Sequence, residues 1–354
     1  MRMVDRKNHD IIVRRHSDQN YSVYFDRRTG FFMRVEDKGA EEPFWSKNGP
    51  ELLDIAITNW CDKNCQVCYR DSNKYGKHMP IDDYEKIIKQ ASELGVLQVA
   101  LGGGNPNQHP DFEKILEVTR GKYGIVPSYT TNGRGLDDNV LNSTKKYCGA
   151  VAVSSYSPFK EMIDAIEALI NHDIKTNIHF VLESRSIEVA IDWLKDFPDF
   201  LNEINAVIFL KYKPIGRVSK ELQLLNNSDK IEKFFNLITS NKFPFKIGFD
   251  SCSVPGIVSH MDFNRRYLEA CDAGRFSAFI SESLRMYPCS FMVDFIEGED
   301  LHTKKIVNVW KESPFFANIR QTFKNNECKG KCDYFNVCFG GCPIFEDINI
   351  CKYR

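Results

Sequence analysis

The chain has 354 residues, a formal net charge of −1 and a hydrophobic content of 42%. This length and composition predict an α/β protein with one large domain and a smaller one. The near-neutral charge gives no electrostatic reason to expect a nucleic-acid partner. No apolar run is long enough to cross a membrane, and the charged N-terminus lacks the apolar core of a signal peptide. We therefore expect a cytoplasmic protein without nucleic-acid or membrane partners.

The cysteine content is high, at twelve residues. In a protein without an export signal, so many cysteines favour metal ligation over a disulfide framework, because the cytoplasm keeps thiols reduced.

Residues 1–50 are expected to form a small β appendage. Two strand patterns, at 21–25 and 31–35, flank a turn that ends at Gly30. Alternating apolar residues on either side of a glycine-containing turn are typical of a β-hairpin.

Residues 51–250 alternate between strand and helix patterns. Helices are predicted at 82–94, which Gly95 would end, and at 159–171. The strand patterns recur about every 25–30 residues, which is the period of a βα unit. We predict a partial (β/α)6 TIM-like barrel, whose strands begin near Leu52, Val96, Ile125, Ala150, Thr176 and Ala206. Functional groups are then expected at the carboxyl ends of the strands, where Cys61, Gly102 and Ser154 fall.

Three cysteines, Cys61, Cys65 and Cys68, follow the first of these strands with the spacing C-x3-C-x2-C. Three thiolates at this spacing can bind three corners of an iron–sulfur cube, which leaves the fourth iron free to bind a small molecule. The alternatives are a zinc site or buried structural cysteines. A structural zinc site requires four ligands, usually in two pairs, whereas the next cysteine is the distant Cys148.

The C-x3-C-x2-C spacing resembles that of the radical S-adenosylmethionine (radical SAM) enzymes. The resemblance implies that the open iron binds the amino and carboxylate groups of SAM. It also implies that one electron from the cluster cleaves SAM to a 5′-deoxyadenosyl radical, which abstracts a substrate hydrogen.

A glycine-rich segment after the second strand extends this resemblance. Gly103, Gly104, Asn105 and Pro106 are similar to the Gly-Gly-Glu-Pro element that holds the SAM amino group in the family. Asn105 offers a carbonyl where the family has a carboxylate. Ser154 falls where the family often has a serine that contacts SAM, although it could equally be a simple strand cap.

Residues 251–354 are rich in cysteines and turns, and we expect a second domain held together by metal. The order of the cysteines resembles the SPASM extension of radical SAM enzymes, which carries two auxiliary 4Fe–4S clusters. The resemblance assigns one set of cysteines to a cluster near the active site and another to an outer cluster. The first set is Cys271, Cys289 and Cys342, and the second is Cys328, Cys332, Cys338 and Cys351.

Cys252 is left over from this pattern. It could complete the inner cluster, handle substrate or be inert. Two zinc sites are the alternative for the tail, but they would not explain the three-cysteine motif upstream.

The predicted function is that of a radical SAM peptide maturase, which crosslinks or oxidises a ribosomally made precursor peptide. Its expected cofactors are SAM and three 4Fe–4S clusters, and its partners are the precursor and an electron donor such as a flavodoxin or ferredoxin. The alternatives are a sulfatase-maturase-like enzyme that forms formylglycine and a non-catalytic iron–sulfur electron-transfer protein. Tyr156, which replaces an aspartate of the family pattern, disfavours the former. The open cysteine motif disfavours the latter.

Overall fold

The computed structural model describes residues 10–218, 223–226, 228–264 and 267–353. Within these ranges the chain forms two β-sheets, one of three strands and one of ten.

The smaller sheet is antiparallel and lies at the N-terminus. Its strands are β1 (Ile11–His16), β2 (Tyr21–Asp26) and β3 (Phe32–Glu36), in the order β1-β2-β3. The predicted hairpin is confirmed as β2 and β3, and β1 adds a strand that was not predicted, because adjacent arginines interrupt its apolar pattern. Alternate residues of β2 are buried and pack with Leu97 and Val126, so the small sheet rests on the large one through one face.

The larger sheet contains the predicted barrel strands. All six predicted strands are present, and the partial barrel is confirmed. A short seventh strand, which is half-exposed and contains glycine, had too weak a pattern to be predicted. Neighbouring strands of the series run parallel in chain order: β4 (Leu52–Thr58), β5 (Gln98–Gly103), β6 (Val126–Thr131), β7 (Val151–Ser154), β8 (Thr176–Leu182), β9 (Ala206–Lys211) and β10 (Lys246–Phe249).

Amphipathic helices connect these strands and bury their apolar faces against the sheet. The first of them ends at Gly95, whose φ of 85° is left-handed, as the sequence predicts. None of the helices in the described ranges is long and apolar enough to cross a bilayer. The connecting helices are α1 (Ile81–Leu94), α2 (Phe112–Leu116), α3 (Asp138–Tyr147), α4 (Lys160–Asn171), α5 (Ser186–Lys195) and α6 (Ser228–Ser240).

The C-terminal part of the chain extends the same sheet. Its first strand pairs in parallel with β4, and two antiparallel strands follow at that end. Strands from before and after residue 250 are therefore hydrogen-bonded in one sheet. The division of the chain into domains 1–50, 51–250 and 251–354 stays a prediction. The elements are α7 (Val254–His260), β11 (Ser277–Ile280), β12 (Arg285–Tyr287), β13 (Glu299–Asp300), α8 (Ile306–Glu312), α9 (Pro314–Lys324) and α10 (Phe335–Cys338).

Trp310 of α8 fixes this C-terminal part to the rest of the protein. Its side chain is fully buried, and its indole Nε1 donates a hydrogen bond to the carbonyl oxygen of Ser46 at 2.7 Å. Its ring also lies 5.5 Å from that of Phe316, measured between centroids. The C-terminal helices therefore share a core with the N-terminal half of the chain.

We predict that Trp310→Ala lowers the free energy of unfolding by about 3–5 kcal/mol, because it leaves a cavity and removes a buried hydrogen bond. Urea denaturation followed by circular dichroism measures this loss. The neighbouring exposed Lys311 provides the control, since Lys311→Ala should change stability by less than about 0.5 kcal/mol. A loss below about 1 kcal/mol in Trp310→Ala would contradict a shared core.

Candidate active site and cysteine centres

The parallel strands β4 to β10 present their carboxyl ends along one rim of the sheet. The segment that follows β4, residues 59–78, carries Cys61, Cys65 and Cys68, and we call it the cysteine loop. Backbone bridges between Thr58 and His78 and between Trp60 and Asn73 close the loop at its base. Because its ends are pinned, its three half-buried thiols are held at the rim.

The three thiols lie within electrostatic reach of one another. Burial raises the pKa of Cys65, and the thiols of Cys61 and Cys68 raise it further, whereas Lys63 opposes the increase. Two N–H groups point at sulfur: the backbone N–H of Ser72 lies 3.4 Å from the Cys68 Sγ, and the Asn132 side-chain amide lies 3.5 Å from the Cys61 Sγ. Such donors favour thiolates, the form that binds metal.

The ligand set suits an iron–sulfur cube, because three free thiols stand together at the rim. A cube binds each thiolate through a different iron, so its ligands need not meet at one point. The three free thiols of the cysteine loop therefore fit the cube.

The glycines after β5 allow two backbones to meet. A Cβ atom on Gly103, whose φ is 105°, would lie 1.9 Å from the carbonyl oxygen of Thr58. A Cβ atom on Gly104 would lie 1.9 Å from the carbonyl oxygen of Trp60. The Gly104 N–H donates to the Thr58 carbonyl at 2.8 Å, so the glycines position the start of the cysteine loop. Their predicted contact with SAM stays a prediction.

Asn105 is completely buried, and its side chain orders the turn after β6. Its amide donates to the Arg134 carbonyl at 3.0 Å, and its oxygen accepts from the Thr131 hydroxyl at 3.2 Å and from the Asn132 N–H at 3.0 Å. These bonds aim Asn132 at Cys61. Asn132 was not predicted as a site residue, and the structure places it beside the Cys61 thiol. The sequence feature that could have indicated Asn132 is its position directly after the predicted strand β6.

Pro106, also buried, begins the short helical turn after Asn105. The SAM contacts predicted for Asn105 and Pro106 stay predictions.

Ser154 ends β7, so it lies on the same rim of the sheet as the cysteine loop. Its side chain forms a hydrogen bond with that of Tyr156, and this bond opposes the effect of burial, which raises the pKa of Tyr156. The thiols of the cysteine loop raise that pKa further. The Lys63 ammonium lies 5.0 Å from the centroid of the Tyr156 ring. The predicted serine therefore reaches the site through a tyrosine beside it.

Arg217, after β9, clamps the cysteine loop and was not predicted as a site residue. Its guanidinium donates to the carbonyl oxygens of Cys65 and Ser72, each at 2.6 Å. Its backbone pairs with that of Cys68. The preceding Gly216 is required there, because a Cβ atom would lie 2.5 Å from the Cys68 carbonyl oxygen. The sequence feature that could have indicated Arg217 is an arginine directly after a glycine, in the segment that follows β9.

The structure brings Cys252 together with Cys271, Cys289 and Cys342, and we call these four the inner set. A hydrogen bond between the Cys252 and Cys342 thiols raises the pKa of Cys252 well above its ordinary value and lowers that of Cys342. Burial and then the Cys252 thiol raise the pKa of Cys271 to about 12. Burial, Cys271 and Cys252 also raise the pKa of Cys289. Four thiols in one buried site can bind the four irons of a cube.

The remaining predicted ligands form a second group, which we call the outer set. Burial raises the pKa of Cys338 to about 11, and the other three thiols of the set add to the increase. All four thiols line one apolar cavity together with Val258 and Phe335. The members are Cys328, Cys332, Cys338 and Cys351.

Residues 55–197 match the family model of the radical SAM superfamily, which is the segment that contains the cysteine loop and the glycine run. Over these residues the chain is similar to the radical SAM enzymes. This match implies a 4Fe–4S cluster and SAM as cofactors, and the cysteine-rich C-terminus is consistent with a SPASM-type extension.

Known proteins resemble the chain beyond this segment. The mycofactocin maturase MftC of Mycolicibacterium smegmatis is 21% identical over 326 residues, which cover 83% of this chain and 78% of MftC. Streptococcus suis SuiB, solved with its precursor peptide SuiA, aligns with a TM-score of 0.72 over 94% of each chain at 18% identity. The enzyme anSMEcpe with bound AdoMet aligns with a TM-score of 0.60 at 18% identity, over 82% of this chain and 89% of its own. The structural likenesses show a shared fold.

We predict that Arg217→Met speeds the release of iron to a chelator at least tenfold in anaerobically purified protein. The variant loses charge-assisted hydrogen bonds, each worth about 1.5–3 kcal/mol, and tenfold corresponds to about 1.4 kcal/mol. Arg28→Met, at an exposed arginine of the N-terminal sheet, is the matched control and should release iron at the wild-type rate. Equal rates in both variants would show that the clamp does not hold the loop.

Proposed function

We propose that the protein is a radical SAM peptide maturase that crosslinks or oxidises a ribosomally made precursor peptide. The observation that carries the proposal is the cysteine loop, whose three thiols stand at the barrel rim within the segment that matches the radical SAM family model. The similarity to mycofactocin maturase MftC along most of the chain supports a maturase, and SuiB, which shares the fold, was solved with a precursor peptide.

Each group of cysteines has a proposed cluster. Cys61, Cys65 and Cys68 would hold the cluster that binds SAM, with Gly103, Gly104, Asn105, Pro106 and Ser154 around it. The inner and outer sets would hold the two auxiliary clusters. When bound, these cofactors supply the one-electron chemistry of hydrogen abstraction and take up the electron left over once a new bond has formed. A flavodoxin or ferredoxin is the proposed electron donor.

The protein's own residues position these groups and line the barrel interior. Along β8, Ile178 and Phe180 are buried in the core, so the alternate residue His179 faces the barrel interior. Its Nδ1 lies 3.3 Å from the Thr130 hydroxyl. Burial lowers the pKa of His179 to about 4, so the imidazole is neutral at physiological pH. A peptide would therefore meet an uncharged, hydrogen-bonding wall at this point.

The two alternatives are not favoured. A non-catalytic iron–sulfur protein would not require an open three-thiol motif next to a glycine run. The formylglycine reaction is disfavoured, because Tyr156 fills the position of the expected aspartate.

The function is tested by anaerobic co-expression with a candidate precursor peptide encoded beside the gene, followed by mass spectrometry. We predict a loss of two hydrogens, with fragmentation blocked between two residues. Cys65→Ala should abolish both this change and the formation of 5′-deoxyadenosine, because the first cluster loses a ligand. Cys338→Ala should retain part of the SAM cleavage but give no modified peptide.

Cys148→Ala is the matched control, since Cys148 lies outside the three groups of cysteines, and it should retain activity. Formation of 5′-deoxyadenosine by Cys65→Ala would contradict the assignment of the first cluster. A two-hydrogen loss confined to one cysteine or serine would favour the formylglycine reaction, and a wild-type protein that never cleaves SAM would favour the electron-transfer alternative.

The outer strand of the N-terminal sheet offers a second point of contact for the precursor. In the described residues β3 pairs with β2 alone. Its side chains Met33 and Val35 are 41% and 38% exposed, and Phe31, which directly precedes the strand, is 59% exposed. An extended peptide can add a strand to such an edge through backbone hydrogen bonds and side-chain contacts. We infer that a segment of the precursor binds along β3.

We predict that the double variant Met33→Glu, Val35→Glu weakens precursor binding at least tenfold, because charges on an edge strand oppose the addition of another strand. Fluorescence anisotropy of a labelled precursor measures the Kd, with iron content as a check on integrity. Lys38→Glu, in the exposed turn after β3, is the control and should bind normally. Unchanged affinity in an iron-loaded double variant would refute binding at this edge.

A further inference from the structure

Two lysines are buried at the barrel rim. Lys211 ends β9, Lys213 follows two residues later, and the two are only 7% and 6% exposed. Burying an ammonium group is costly unless a hydrogen-bonding or anionic partner compensates for the lost water. The partners of these two lysines therefore indicate what the site is built to hold.

Only one of the two ammonium groups is paired with a carboxylate in the described residues. The Lys213 Nζ lies 2.7 Å from an Asp250 carboxylate oxygen and also donates to the Lys211 carbonyl at 3.0 Å. The Lys211 ammonium donates to the Ile348 carbonyl and forms no ion pair within the part of the chain that the structure describes. Two cations and one anion leave this buried cluster with an excess positive charge. The ring of Phe291, whose centroid is 4.6 Å from the Lys213 Nζ, covers this ammonium group.

The same residues hold the segments that carry Cys252 and Cys342. Asp250 lies two residues before Cys252, and its second carboxylate oxygen accepts a hydrogen bond from the Ser253 hydroxyl at 2.7 Å. On the other side, the Ile348 carbonyl that accepts from Lys211 lies next to Asn349. The Asn349 side-chain oxygen accepts from the Cys342 N–H at 2.8 Å. The lysines therefore connect the segments that carry Cys252 and Cys342 to β9.

The charged groups that act on the pKa of Lys211 are consistent with this geometry. Burial lowers the pKa of Lys211 to about 8, and the neighbouring Asp250, Cys252 and Cys342 oppose the decrease. The excess positive charge thus faces thiols that become thiolates when they bind metal.

We propose that Lys213, together with Lys211, compensates the negative charge of an iron–sulfur cluster bound by the inner set and raises its reduction potential. This inference rests on the inner cluster of the proposed function. Four thiolates give a 4Fe–4S cluster a net negative charge, and reduction adds one more electron. A fixed ammonium in a site of low dielectric stabilises the more negative, reduced form more than the oxidised one. The lysines are positioning residues that make the inner cluster a better electron acceptor.

The test is a dithionite titration of the iron-loaded, full-length protein without peptide, monitored by electron paramagnetic resonance. In Lys213→Met, one auxiliary couple should change its ratio of reduced to oxidised cluster at least tenfold at fixed potential. This change is a downward shift of 59 mV for a one-electron couple. The couple that responds to SAM and the other auxiliary couple should stay at their wild-type potentials. Lys211→Met should shift the same couple, and the exposed Lys160→Met should shift none.

Unchanged potentials in both Lys213→Met and Lys211→Met, at wild-type iron content, would overturn the proposal. If Lys213→Met instead loses one cluster, Lys213→Arg decides the outcome. Restored iron content supports a requirement for positive charge, whereas continued loss in Lys213→Arg assigns the lysine to packing and overturns the proposal. Because the titration needs no precursor, an expected shift in a protein that modifies no peptide would refute the maturase proposal alone.

Discussion

The close approach of two backbones at the barrel rim is the constraint on which the site depends. The segment after β4 can lie against the segment after β5 only because Gly103 and Gly104 have no side chains. The hydrogen bond from Gly104 to Thr58 then fixes where the cysteine loop begins. A side chain at either glycine would overlap a carbonyl oxygen of the loop and displace its base. The placement of all three thiols therefore follows from a contact in which no thiol takes part.

Polar side chains that follow later strands hold the cysteine loop in place. Asn105 orders the turn that carries Asn132, and Asn132 points its amide at Cys61. From the other direction, Arg217 binds two carbonyl oxygens of the loop. The parallel order of the strands makes this convergence possible, because the ends of β5, β6 and β9 lie on the same rim as that of β4. The site proposed for an anionic cluster thus has N–H donors that point at its thiols.

The C-terminal cysteines of the inner set are held beside the same sheet. β11 extends the barrel sheet beside β4, so Cys271 and Cys289, which lie on either side of the β11–β12 hairpin, stay close to the barrel. Lys211 and Lys213 connect β9 to the segments of Cys252 and Cys342. The inner set is therefore held beside the barrel, which is the position that the proposed electron acceptor requires.

Much of this protein was determined by the sequence alone. The alternation of apolar runs and amphipathic helices predicts the six barrel strands and the end of α1 at Gly95, because these features depend on local periodicity and backbone conformation. The C-x3-C-x2-C spacing indicates the class of chemistry, since it is a local motif. Strand β10 has one exposed and three half-buried residues, and β1 has paired arginines, so both lack such a pattern and could not be predicted.

Only the tertiary structure decided which distant residues meet. Cys252 had three possible roles in the sequence, and the folded chain places its thiol against that of Cys342. Arg217 and Lys213 carry no local signal of a partner, because their partners lie far from them in the sequence. Such contacts depend on which strand ends share a rim, and strand order is a property of the whole sheet, whereas helices and turns are fixed by neighbouring residues.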